Sequence, residues 1–155
     1  VIEEAVMGVM LFNGTMCIGR LLGNRLGKHL TSKQVVVGGY LLGSIAMGLI
    51  VFLPGHASMY TYLLLGISLA MIVPNLFSAM GEQNVIPMTQ AVATSTMLGY
   101  MGILMGPALI GFIAHGTSLT VAFIVLTILL VVSAGIGKYA YHLMSKDCGL
   151  SEEQI

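Results

Sequence analysis

Hydrophobic and polar positions in this chain separate into blocks. Five long apolar runs stand near residues 5–22, 34–53, 59–80, 87–113 and 119–143, parted by short polar connections. No Asp, Glu, Lys or Arg lies between Lys33 and Glu82, nor between Glu82 and Lys138. An element of a water-soluble domain needs a polar face, and these runs have none. As helices rising about 1.5 Å per residue they measure roughly 27 to 40 Å, enough to cross about 30 Å of hydrocarbon with some tilt. A helix satisfies its own backbone groups, as lipid requires. Barrel strands would alternate over about ten residues, and stretches such as 63–73 do not. The pattern predicts an all-α integral membrane protein, with a five-helix bundle over residues 1–144 and a polar tail at 145–155.

The connections give the bundle its topology. Pro54-Gly55-His56-Ala57-Ser58, Gly81-Glu82-Gln83-Asn84 and Gly116-Thr117-Ser118 are turn-forming links. Pro87 suits the first turn of the fourth helix, where a missing N–H costs nothing. Links this short make successive helices antiparallel. Arg20, Arg25, Lys28 and Lys33 gather about the first connection, and Lys138 and Lys146 mark the last helix end. The connections on the other face hold no Lys or Arg. By the positive-inside rule the C-terminus is cytoplasmic and residue 1 lies outside. Tyr60 and Tyr62 at one face, and Tyr139 and Tyr141 at the other, are expected to form the two aromatic belts. The chain begins at Val1 without Met or an export signal, so further helices are expected before it.

Composition narrows the function. Charged residues are 8% of the chain and hydrophobic ones 57%, with a mean hydropathy of +0.97; a soluble domain carries about 25% charged residues. Six Lys or Arg balance six Asp or Glu, which leaves no electrostatic footprint for nucleic acid. No Cys or His cluster has metal-ligand spacing, and no cofactor is expected. An intramembrane enzyme would need a nucleophile with a base, or a metal pair, inside the bilayer. Every His and every acid here lies in a connection or near a span end. Proton relays are built from intramembrane ionisable groups, so any proton coupling is expected in preceding helices or at Glu3 and Glu4. Twenty glycines point to close helix contact, with Gly39-x3-Gly43 and Gly102-x3-Gly106 as candidate faces.

Arg20-Leu-Leu-Gly23-Asn24-Arg25-Leu-Gly27-Lys28-His29 places glycines at fixed offsets around Asn24-Arg25, as a tight turn would require. The segment resembles the cytoplasmic signature loop of the major facilitator superfamily, whose usual form is Gly-x-Leu-Ala-Asp-Arg-x-Gly-Arg-Arg. Gly23, Arg25, Gly27 and Lys28 agree with it. Arg20 replaces the first Gly, and Asn24 replaces the Asp, so any charge-based lock is weaker here. Gly99-Tyr100-Met101-Gly102-Ile-Leu-Met-Gly106-Pro107-Ala-Leu-Ile-Gly111 resembles the Gly-x3-Gly-Pro-x3-Gly pattern of the family's fifth and eleventh helices, where Pro107 is expected to bend the helix. Spacing and the short tail match helices eight to twelve of a twelve-helix fold. Within the superfamily, the 74–81 stretch and the 99–111 run are most similar to MosC-like bacterial permeases.

The resemblance implies a secondary active transporter of the bacterial inner (plasma) membrane, working by alternating access. This chain would then supply a C-terminal fragment whose partners are the bilayer, a small solute and the missing N-terminal half. Spans one, three and four would line the cavity, with spans two and five outside. Asn13, Ser68, Asn75, Thr96 and Tyr100 are the polar candidates. Thr96 and Tyr100 are four apart and share a face. Asn75 could instead serve carbonyls freed by Pro74, and Ser68 and Thr96 could bond back to their own helices. The residues leave open an alternative: a non-transporting five-helix subunit or assembly protein.

Overall fold

The computed structural model describes residues 2–26, 30–53, 57–82 and 84–148. They form six helices: α1 (Ile2–Leu26), α2 (Ser32–Phe52), α3 (Ala57–Ala70), α4 (Ile72–Glu82), α5 (Met88–Gly116) and α6 (Leu119–Cys148). No strand occurs among the described residues. Five spans are long and apolar enough to cross a membrane, with α3 and α4 together forming the third.

The third span departs from the single helix expected over 59–80. It is interrupted at Met71, and Pro74 is the physical cause. A proline has no N–H for the carbonyl four residues back, and its ring crowds that carbonyl; here the carbonyl is that of Ala70. The Asn75 N–H reaches the Met71 carbonyl at only 3.4 Å. In contrast, α5 runs through Pro107 without interruption. Pro87 stands one place before the first turn of α5 as its N-cap, its carbonyl accepting from the N–H groups of Gln90 and Ala91. Ser118 caps α6 by accepting from the Val121 N–H at 3.3 Å. The last helix continues beyond the expected end at 143 to Cys148.

In lipid no hydrophobic drive brings helices together, so close van der Waals contact must. The glycines of α1, α2 and α3 provide it. Gly8, Phe12, Thr15 and Gly19 form one stripe of α1, facing Tyr62, Gly66 and Ala70 of α3. A Cβ on Gly66 would stand 2.8 Å from the Phe12 carbonyl oxygen, and one on Gly39 would stand 2.7 Å from that of Ser68. α2 is therefore seated between α3 and α6. At one end Val36, Ile72, Ala79 and Tyr141 form a buried cluster; at the other, Ala46, Met47 and Leu65 do the same against Phe12, Ile50 and Phe123.

Two expectations need correction. Gly102 and Gly106 meet no neighbour within 4 Å, unlike Gly39 and Gly43. Their helix, α5, has only Ala91 buried, so this glycine face is open. The tyrosine pairs also divide. Tyr60 and Tyr139 are exposed, whereas Tyr62 lies over Gly8 and Tyr141 is buried beside Val36. Residues two apart on a helix point in nearly opposite directions, so only one of each pair can reach the belt.

Candidate functional site

α1, α4 and α5 enclose a groove of about 530 Å³. Each wall is one helical stripe. From α4 come Val73, Phe77 and Met80, at i, i+4 and i+7, while Ile72 and Ala79 on its other side are buried in the core. From α5 come Thr96, Gly99, Tyr100 and Ile103, at i, i+3, i+4 and i+7. Arg20 reaches in from α1 and is the only formally charged side chain among the described lining residues. Ser95 Oγ lies 3.5 Å from Met80 Sδ and ties α5 to α4.

The polar equipment of the groove is sparse and directional. The Thr96 hydroxyl donates to the Val92 carbonyl at 2.7 Å, so toward the groove it offers only its oxygen lone pairs. Tyr100, 64% exposed, presents a phenol that donates and accepts. Arg20 brings a fork of donors suited to a carboxylate or phosphate. Phe77, Met80 and Ile103 make the remainder apolar, the composition of a pocket that binds a small organic solute. Among the described residues no three His, Cys, Asp or Glu gather where they could hold a metal.

The other sequence candidates lie elsewhere. Ser68 is buried, donates to the Leu65 carbonyl at 2.9 Å, and faces Gly43 of α2 across the α2–α3 contact. Asn75 Nδ2 donates to the Met71 carbonyl at 2.7 Å, serving the interrupted backbone below Pro74. Asn13 donates to the Val9 carbonyl at 2.8 Å and is exposed. It stands seven residues before Arg20, on the same α1 face and about 10 Å along the axis. Sequence reasoning grouped Arg20, at the end of the first span, with the cations about the first connection; its two-turn offset from Asn13 was the signal that α1 carries it on a shared face. Phe77 and Met80 were likewise missed, although their spacing from Val73 is helical.

Comparison with known proteins decides the family. The chain is 42% identical over 135 residues, 85% of its length, to an uncharacterized MFS-type transporter of Yersinia pestis. It is 30% identical over 114 residues, 73% of its length, to membrane protein MosC of Rhizobium meliloti. The chain belongs to the major facilitator superfamily. It spans 35% of the first relative's length and 28% of the second's. No family model matches it, and no solved structure does.

The major facilitator signature segment takes a form the sequence did not anticipate. Helix α1 continues to Leu26, so the residues from Arg20 to Arg25 are helical rather than part of a tight turn. Gly23 has ordinary helical backbone, and its missing side chain admits Met71, whose Cε would lie 3.3 Å from a Cβ there. Asn24 and Arg25 fall in the final turn of α1; Gly27 and Lys28 lie outside the described residues. Of the second motif, Gly99 lines the groove, and Gly102, Gly106 and Gly111 border open space.

Proposed function

We propose that this chain forms part of a secondary transporter, corresponding to helices eight to twelve of the family fold, and that the α1–α4–α5 groove is its wall of the solute path. One observation carries the reading: Thr96 and Tyr100, cavity candidates implied by the resemblance and placed on one face by their spacing, lie together in a groove bounded by spans one, three and four. The open glycine face of α5 supports it, because a second helical half needs a surface of small residues on which to seat. In this reading a small solute enters between the two halves, contacts Tyr100, Thr96 and Arg20, and is released when the halves rock about it. The protein would sit in the bacterial inner membrane with its C-terminus in the cytoplasm.

The test begins with water access. In the protein with Cys17 and Cys148 replaced by Ser, Tyr100→Cys and Thr96→Cys should react in native membranes with a small charged maleimide. Met101→Cys, 55% exposed but on the side of α5 away from the groove lining, should not. Uptake and efflux of small metabolites by cells with and without the protein then identify the solute, and Tyr100→Ala should abolish that difference with normal membrane insertion. Unreactive cysteines at 96 and 100, or unchanged transport in the Tyr100 variant, would remove the groove from the solute path.

A further inference from the structure

The C-terminal end of α6 is held by few contacts. Beyond Gly137, Tyr141 is the only buried residue of this helix among the described residues, and Met144 packs partly against the same cluster. Tyr141 is 3% exposed and packs with Val36 of α2 and with Ile72 and Ala79 of α4. Its hydroxyl is enclosed with no hydrogen-bond partner among the described residues. A buried donor left unpaired destabilises the arrangement that contains it, and any arrangement that pairs the donor recovers that free energy.

An acceptor stands close by. Glu82 is the last residue of α4, three places after Ala79, so it lies on the same side of that helix one turn further along. Its carboxylate is near enough to act electrostatically on the Tyr141 phenol, as is the Tyr40 phenol. A carboxylate accepts several hydrogen bonds at once, so it is open to this donor whatever else it meets. A bond to an ionised acceptor is about twice as strong as one between neutral groups, which favours Glu82 over Tyr40.

The helix also has a place to bend. Gly135 has no described atom within 4 Å of a would-be Cβ, and Gly137 meets Val36 Cγ1 at an ordinary 3.8 Å. Just before them the Ser133 hydroxyl donates to the Leu129 carbonyl at 2.8 Å, a back-bond that often bends helices. Closely spaced Gly and Ser are where helices kink. Gly135 to Tyr141 measures about 9 Å along the axis, so a kink of about 20° displaces Tyr141 by about 3 Å. We propose that α6 bends at Gly135–Gly137 into a second, less populated arrangement in which the Tyr141 hydroxyl donates to the Glu82 carboxylate and latches the end of α6 to the end of α4. The opposite face of α4 carries Val73, Phe77 and Met80 of the groove, so the latch joins the end of α6 to a wall of the groove.

The test is nuclear magnetic resonance of the intact protein with tyrosine labelled by ¹³C at Cζ, the carbon that bears the hydroxyl and shifts when it donates. Tyr141→Phe identifies the Tyr141 signal, and exchange saturation detects a minor state linked to it. That state should be present and shifted in the direction of a phenol bonded to a carboxylate. Glu82→Ala should lower its population at least about tenfold, the loss of one hydrogen bond to a charged group. Gly135→Ala combined with Gly137→Ala stiffens the helix and should lower it too, with the major signal in place. Absence of the minor state, or its survival in Glu82→Ala, would overturn the latch; its loss in Tyr40→Phe instead would assign the hydroxyl to a neutral partner and overturn Glu82. A minor state indifferent to the two alanines would overturn the bend. None of these outcomes depends on whether the groove carries a solute.

Discussion

Gly66→Ala is the smallest substitution that tests how this bundle is held together. The added Cβ would stand 2.8 Å from the Phe12 carbonyl oxygen, 3.1 Å from Thr15 Cβ and 3.3 Å from the Met16 nitrogen. Two of those three atoms are backbone, so no rotamer change relieves the clash. Ordinary contact begins near 3.4 Å, so α1 must retreat by roughly 0.6 Å, and a gap of that order forfeits about a quarter of the local dispersion energy. The loss extends along the stripe, because Gly8 against Tyr62 and Gly19 against Ala70 belong to the same interface. Overpacking of this kind costs about 1–3 kcal/mol. Replacing Gly by Ala within a helix returns about 0.5–1 kcal/mol, leaving a net loss centred on about 1.2 kcal/mol. At about 2–4 °C per kcal/mol for a protein of this size, the unfolding midpoint in detergent should fall by about 2–5 °C. Gly14→Ala is the control: it sits in α1, the helix that Gly66 faces, with no described atom within 4 Å, and should be neutral or slightly stabilising. Gly19→Ala combined with Gly66→Ala should cost less than the sum of the two, since the first already separates the helices. A Gly66→Ala protein that unfolds at or above the wild-type temperature, with Gly14→Ala behaving as expected, would refute close α1–α3 contact as the source of stability.

Two further substitutions read individual polar groups by the same thermal assay. The Tyr141 hydroxyl is buried with no hydrogen-bond partner among the described residues, so Tyr141→Phe should raise stability by about 1 kcal/mol or more; a loss of half that size would mean the hydroxyl is bonded after all. Asn75→Ala should cost about 0.6 kcal/mol, the mean for a side-chain hydrogen bond in a membrane protein, by removing the donor to the Met71 carbonyl. The same change should cost less in a Pro74→Ala background, where the Asn75 N–H, 3.4 Å from the Met71 carbonyl beside the proline, can close on it, and an equal cost in both backgrounds would separate Asn75 from the proline.

The spans were readable because lipid imposes one requirement on every residue of a segment, and hydropathy sums it. That Thr96 and Tyr100 share a face was readable for a related reason: residues four apart do so wherever the helix goes. What failed to show was anything set by which neighbour a face meets. Tyr60 and Tyr62 are the same residue type at the same depth, yet one faces outward and the other lies on Gly8. Ser68 and Thr96 are both mid-span hydroxyls bonded to their own helices, and only the positions of α2 and α4 send one into the core and the other into a groove. The interruption at Met71 hid for a different reason. Pro74 and Pro107 both lie within apolar runs, and the chain breaks before one and continues through the other. Arg20 was grouped with the cations and signature loop at the end of the first span; α1 instead continues past it for another turn and a half.

The glycines divide the molecule into two mechanical parts. Gly8, Gly19, Gly39, Gly43 and Gly66 are all in contact across α1–α3 or α2–α3, and where would-be Cβ atoms meet backbone, sliding is resisted because backbone cannot step aside. These helices move as a body or not at all. Gly99, Gly102, Gly106 and Gly111 meet nothing within 4 Å, along a helix of which a single residue is buried. The groove lies where these two parts join: α1 and α4 contribute the fixed wall and α5 the loosely held one. On the proposed transporter reading, a solute touching Tyr100 on one side and Arg20 on the other would bridge them, and its binding energy would act on their relative position. Binding that couples a fixed wall to a movable one biases the equilibrium between two arrangements only if the contacts differ between them. On that reading the difference would be the distance from α5 to Arg20, which any displacement of α5 must change.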